Sequence, residues 1–176
     1  MNALYYIVET LISLVFIVFL LRLILQLARA DFRNPIAQAI VALTNPVIVP
    51  LRRILPPTGK VDTASVVAVV LVALAEIGLL YALRGFGTPD AFTWLRIAAL
   101  RILTKVLWVY FYAIVLYALL SLIGPGQHTP ISSLLASICE PILRPFRRLV
   151  PPIGGIDLSP LWACIALQAL LILLRG

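Results

Sequence analysis

The sequence predicts an all-α membrane protein with four transmembrane helices arranged as two tandem helical hairpins. Each hairpin carries a short amphipathic, Arg/Pro-rich interfacial helical segment at its turn. Two observations carry this. The 176 residues are 62% hydrophobic and only 12% charged, too little charge to cover a soluble surface. The chain also repeats itself: a shift of 95 positions superimposes PLRRILPPTGKVD (Pro50 to Asp62) on PFRRLVPPIGGID (Pro145 to Asp157) without a gap. Pro, Arg, Gly and Asp in common register mark an internal duplication rather than shared hydrophobicity. We divide the chain into a first repeat, 1–85, and a second, 86–176.

The first apolar run, Ala3 to Ala28, contains only Glu9 and Arg22 as charged residues. At ~1.5 Å per residue it crosses a ~30 Å hydrocarbon core. It lacks the basic start and short apolar stretch of a cleaved leader, so we read it as a transmembrane helix. Asn34-Pro35 then offers an N-cap with Pro at the first helical position. We expect a short helix over Ile36 to Leu43, ended by Asn45-Pro46, and a second short helix from Pro46 to the Pro56-Pro57 stop.

The second copy of that segment shows its pattern best. Arg144, Arg147 and Arg148 share one face at i, i+3 and i+4, opposite Ile142, Leu143, Phe146, Leu149 and Val150. Such a helix suits the headgroup plane, with guanidinium groups toward phosphates. Arg52 and Arg53 are the counterparts in the first copy. Pro56-Pro57 with Gly59, and Pro151-Pro152 with Gly154, stop the helix and turn the chain. Asp62 and Asp157 follow, where N-caps of the next membrane helices belong.

Thr63 to Leu83 is the second span, with Glu76 inside it. Ala91 to Lys105 carries Arg96, Arg101 and Lys105 on a basic face leading into the third span, Val106 to Ile123, which Gly124-Pro125-Gly126 ends. Leu158 to Leu174 makes a fourth, shorter span. Two spans per repeat put both Arg-Arg motifs on one side. That side holds Arg29, Arg33, Arg52, Arg53, Lys60, Arg144, Arg147 and Arg148, against Arg84, Arg96, Arg101, Lys105 and Arg175 opposite. The positive-inside rule makes it cytoplasmic, with both termini outside.

Ionisable groups inside spans cost roughly 2.5–3.5 kcal/mol each near the bilayer centre and are the functional candidates. Here they are Glu76 and Arg22, which could pair across the first hairpin. No nucleophile–base pair, carboxylate dyad or phosphate loop appears. His128 is the only histidine, and Cys139 and Cys164 are far apart. We therefore expect no catalytic residues, no metal and no cofactor. The basic residues lie in short clusters between apolar segments, which argues against nucleic acid and for anionic lipid. Arg52, Arg53, Arg144, Arg147 and Arg148 are the candidate lipid- or partner-binding residues. The partners expected are anionic headgroups, a membrane or cytoplasmic protein, and further copies of the chain.

DFRNP at Asp31 to Pro35, NPVIVPLRRILPPTGKVD at Asn45 to Asp62 and EPILRPFRRLVPPIGGIDLSP at Glu140 to Pro160 resemble the YggT family, over essentially the whole chain. The resemblance implies a small multi-pass protein of the bacterial inner membrane with no established enzymatic activity. It also implies a link to osmotic tolerance or to cell-envelope and division processes, and, through plastid relatives, to cofactor assembly on cytochrome b6. We expect a non-enzymatic scaffold or assembly factor. The alternative is a small oligomeric channel or transporter for ions or osmolytes, for which several polar wall residues are wanted and few are found.

Overall fold

A computed structural model describes residues 3–55, 62–85, 87, 90–123, 129–150 and 157–174. All regular structure among them is helical: α1 (Ala3–Leu27), α2 (Pro35–Ile54), α3 (Thr63–Arg84), α4 (Ala91–Ile123), α5 (Pro130–Leu149) and α6 (Ser159–Leu173). Pro56, Pro57, Gly59, Lys60, Gly124-Pro125-Gly126, His128, Pro151, Pro152, Gly154 and Arg175 lie outside the described residues.

Among the described residues four helices are long and apolar enough to cross a membrane, namely α1, α2, α3 and α4. The number agrees with the sequence reading, but the set differs. α6 has 15 residues, ~22 Å of helix, so it needs its flanks or a locally thinner bilayer to cross. α2 qualifies because it is one helix of 20 residues.

That continuity corrects the expectation of two short helices broken at Asn45-Pro46. α2 runs through Pro46 and Pro50, and α5 through Pro141 and Pro145. A proline inside a helix removes one N–H, here the one that would reach Ala42, and crowds the preceding turn. Side chains supply donors around the break in α2. Thr44 Oγ1 donates to the Ile40 carbonyl at 2.7 Å and lies 3.2 Å from that of Val41. Arg22 NH1 donates to the Val41 carbonyl at 3.3 Å.

The expected start at Asn34-Pro35 is observed: Asn34 Oδ1 accepts the Ile36 N–H at 2.9 Å. α5 begins with a capping box in which Thr129 Oγ1 accepts from Ser132 N and Ser132 Oγ from Thr129 N. α4 is one helix of 33 residues, ~50 Å, joining the basic face to the third span. Asp90 caps it by accepting from Thr93 N at 3.1 Å and Thr93 Oγ1 at 2.6 Å.

The helices pack as two compact units, one of Met1–Leu23 with Ile40–Lys105, the other of Ile24–Ala39 with Val106–Gly176. In the first, α3 buries Ala64, Ala68 and Ala73, small side chains that let helices approach closely. Phe16 and Leu20 of α1 and Ile48 of α2 fill the rest of its core. A Cβ on Gly78 would lie 3.0 Å from the Trp94 ring, so glycine is what lets α4 pack against α3 there. The second unit buries Ile114, Leu134, Ile138, Leu143, Ala163 and Leu167. Outward-facing Leu4, Ile7, Leu11 and Leu14 along α1 leave an apolar surface suited to lipid.

Candidate functional site

The register of the duplication pairs Arg52 with Arg147 and Asp62 with Asp157. In each copy the structure joins these residues in a clamp between the end of one helix and the start of the next. Arg52 donates to Asp62 Oδ2 through Nε at 3.0 Å and NH2 at 2.5 Å. Arg147 donates through Nε to Asp157 Oδ2 at 2.9 Å. These two arginines thus each hold one of the protein's own carboxylates. The adjacent Arg53 and Arg148 occupy matching positions, are exposed, and form no ion pair among the described residues; Arg144 is likewise exposed and unpaired among them.

The expectation for the aspartates also changes. Asp62 stands at the N-cap position of α3, but its carboxylate makes no cap bond. It accepts from Arg52 and from Ser65 Oγ at 2.7 Å, while its Oδ1 is buried without a partner. Asp157 stands one residue before the N-cap of α6, which is Leu158; it holds Arg147 with Oδ2 and accepts the Ser159 N–H on Oδ1 at 2.9 Å. An N-cap needs only a nearby N–H, but a buried carboxylate gains more from a guanidinium.

Burial works to raise the Asp62 pKa, yet hydrogen bonds from Arg52 and Ser65 prevail and hold it below the usual carboxylate range. Asp157 is lowered in the same sense: burial opposes, and bonds from Ser159 and Arg147 prevail. For Arg147, burial acts against the charge, and hydrogen bonds to Asp157, Tyr117 and Glu140 more than offset it, so its pKa rises.

The copies differ beside the clamp. In the first, Arg22 NH1 donates to Thr44 Oγ1 at 2.6 Å and Asn45 Oδ1 at 2.9 Å. In the second, the positions of Arg22 and Asn45 are held by Tyr117 and Glu140. Arg147 reaches Glu140 Oε2 at 2.7 Å, with Tyr117 OH at 3.4 Å from its NH2. Glu140 and Tyr117 are thus functional candidates that sequence reasoning passed over. Their signal was present in the non-identical pairs of the repeat.

The suggested pairing of Arg22 with Glu76 does not occur. Arg22 is taken up by α2. Glu76, fully buried on α3, accepts on Oε1 from Ser13 Oγ at 2.8 Å and Lys105 Nζ at 2.9 Å, with Arg101 NH1 at 3.4 Å. Its Oε2 is buried with no partner. Lys105 Nζ also lies 4.4 Å from the centre of the Phe16 ring. Depth decides this: antiparallel helices put Glu76 level with Ser13 of α1, and Arg22 more than two turns farther along. The basic face of α4 was legible in sequence, its docking on Glu76 was not.

The family profile described as CCB3/YggT matches residues 1–83 and 97–176, one match for each repeat. The chain is 43% identical to an uncharacterized protein of Pseudomonas aeruginosa, covering 93% of this chain and 83% of that one. It is 38% identical to the uncharacterized protein YggT of Escherichia coli, covering 92% and 83%. A shorter match, 42% over 45 residues, is to the chloroplastic YlmG homolog protein 2 of Arabidopsis thaliana, covering 26% of this chain and 18% of that one. No solved structure matches the chain significantly. With both repeats matched and close relatives aligned over most of their length, the chain belongs to the CCB3/YggT family.

Proposed function

We propose that this protein is a non-enzymatic scaffold or assembly factor of the bacterial inner membrane, serving cell-envelope, division or osmotic-stress processes. In this reading α2, though long enough to span, lies with α5 at the cytoplasmic headgroup level, and both present arginines to a partner protein or to anionic headgroups. One observation carries the reading: both copies consume the first arginine of the Arg-Arg pair in a clamp and leave the second exposed. Arg52 and Arg147 fix the geometry, so Arg53 and Arg148, with Arg144, are the residues free to bind. A structural need for charge alone is met by the clamped pair.

The test is replacement of Arg53, Arg144 and Arg148 together by Ala in the full chain, followed by co-purification and sedimentation with vesicles containing phosphatidylglycerol. The reading expects loss of retention from a protein that still inserts. Undiminished retention sinks it.

The second reading, a small oligomeric channel or transporter, draws on Glu76, whose Oε2 is buried without a partner next to Lys105 and Arg101. Potassium or osmolyte flux in proteoliposomes that disappears in Glu76→Gln favours it; no flux above empty liposomes removes it.

A further inference from the structure

The two copies of the clamp carry opposite charge. In the first, Arg22, Asn45, Arg52 and Asp62 have a net charge of +1; in the second, Tyr117, Glu140, Arg147 and Asp157 have −1. The first is closed: Arg22 is 5% exposed and Asp62 2%. The second is open, with the Glu140 side chain 51% exposed and that of Asp157 40%. Where the first copy supplies its own cation from α1, the second has a phenol and a surplus of carboxylate.

Tyr117 and Asp157 of this set also line a groove of about 620 Å³ between the last turns of α4 and the first turns of α6. Asp157 and Tyr117 border one end, while Ile114, Ala118, Leu161 and Cys164 make its walls apolar. Among the described residues no cluster suits a metal ion. The apolar walls suit an acyl tail, and the net −1 that remains after Arg147 has bonded both carboxylates favours a cationic, hydrogen-bonding head.

We infer that the α4–α6 groove of the second repeat binds a phospholipid with a primary-amine headgroup. Its ammonium group sits at Glu140 and Asp157, in the role Arg22 plays in the first repeat. Its acyl chain lies against Ala118, Leu122 and Leu161. Arg144, exposed one turn before Arg147, is available to the phosphate. A quaternary ammonium cannot donate hydrogen bonds, so the site discriminates between ethanolamine and choline heads on identical chains. This inference stands on the groove and does not rest on the scaffold reading.

The experiment is native mass spectrometry of the purified full chain in detergent with an equimolar mixture of dioleoyl-phosphatidylethanolamine, -phosphatidylcholine and -phosphatidylglycerol. Wild type is expected to retain the ethanolamine lipid about fivefold over the choline lipid, the worth of one good, partly exposed ion pair. Tyr117→Arg, which supplies the guanidinium found in the first copy, removes that preference. Glu140→Gln, at an exposed position that leaves Arg147 bonded to Asp157, weakens it. Leu161→Trp fills the groove and lowers retention of all three lipids. Equal retention of ethanolamine and choline lipids by wild type, a preference for the glycerol lipid, or an unchanged preference in both Tyr117→Arg and Glu140→Gln overturns the proposal.

Discussion

Arg52 grips Asp62 with two nitrogens on a single carboxylate oxygen, and the aspartate is almost wholly enclosed while the arginine is half exposed. The same pair recurs as Arg147 and Asp157, where both partners are partly open to solvent. Identical chemistry in unequal burial makes the two clamps unequal in energy.

Arg52→Ala strands the buried Asp62 carboxylate and is expected to cost about 2–3 kcal/mol, less than a fully buried pair because Arg52 is partly screened. Arg147→Ala disturbs a largely exposed network and is expected to cost ~1 kcal/mol. Thermal unfolding of the two variants in detergent should therefore show the larger drop for Arg52→Ala. The reverse order would contradict the burial argument.

Acid should weaken the fold through the same aspartates. Their folded pKa values are lowered, so the stability they contribute is complete above the ordinary aspartate value of about 3.9 and fades as pH falls below it. Melting curves should be flat in this contribution from pH 8 to 5 and decline below pH 4. Asp62→Asn should have a lower plateau and a smaller acid-induced loss; an undiminished loss would assign the acid step to other groups.

Glu76 holds Lys105 and Ser13 from inside the first unit. Glu76→Ala leaves the lysine, whose side chain is only 16% exposed, without its counter-charge, at an expected cost of about 3–5 kcal/mol. The double change Glu76→Leu with Lys105→Met should recover most of that loss, since an apolar pair avoids the desolvation penalty. Expression and melting of the single and double variants test this directly. A double variant no better than Glu76→Ala would show that the pair does more than neutralise itself.

Cys139 is fully buried on α5, and burial pushes its thiol up to about 12. It should resist maleimide at pH 7.5 in the folded protein and react fully after unfolding, because the thiolate is the reactive form. Intact-mass measurement after timed labelling, with Cys164→Ala to isolate the signal, reads this out. Rapid folded-state labelling would mean that α5 opens on the labelling timescale.

Composition and the 95-residue repeat determined the class of protein, its duplication, its apolar helices and the start of α2 at Asn34-Pro35, because those follow from local chemistry. The repeat also put Arg52 and Asp62 in common register with Arg147 and Asp157. Which arginine of each pair turns inward was decided by tertiary structure, through the position of the carboxylate across the turn. So was the continuity of α2 and α5 through their prolines, against which the local sequence argued. Glu76 found its cationic partners on α4 and not in Arg22 of α1, because helix depth set which charges meet. A one-dimensional pattern fixes faces and periods, but the pairing of buried charges depends on which helices lie side by side and at what height.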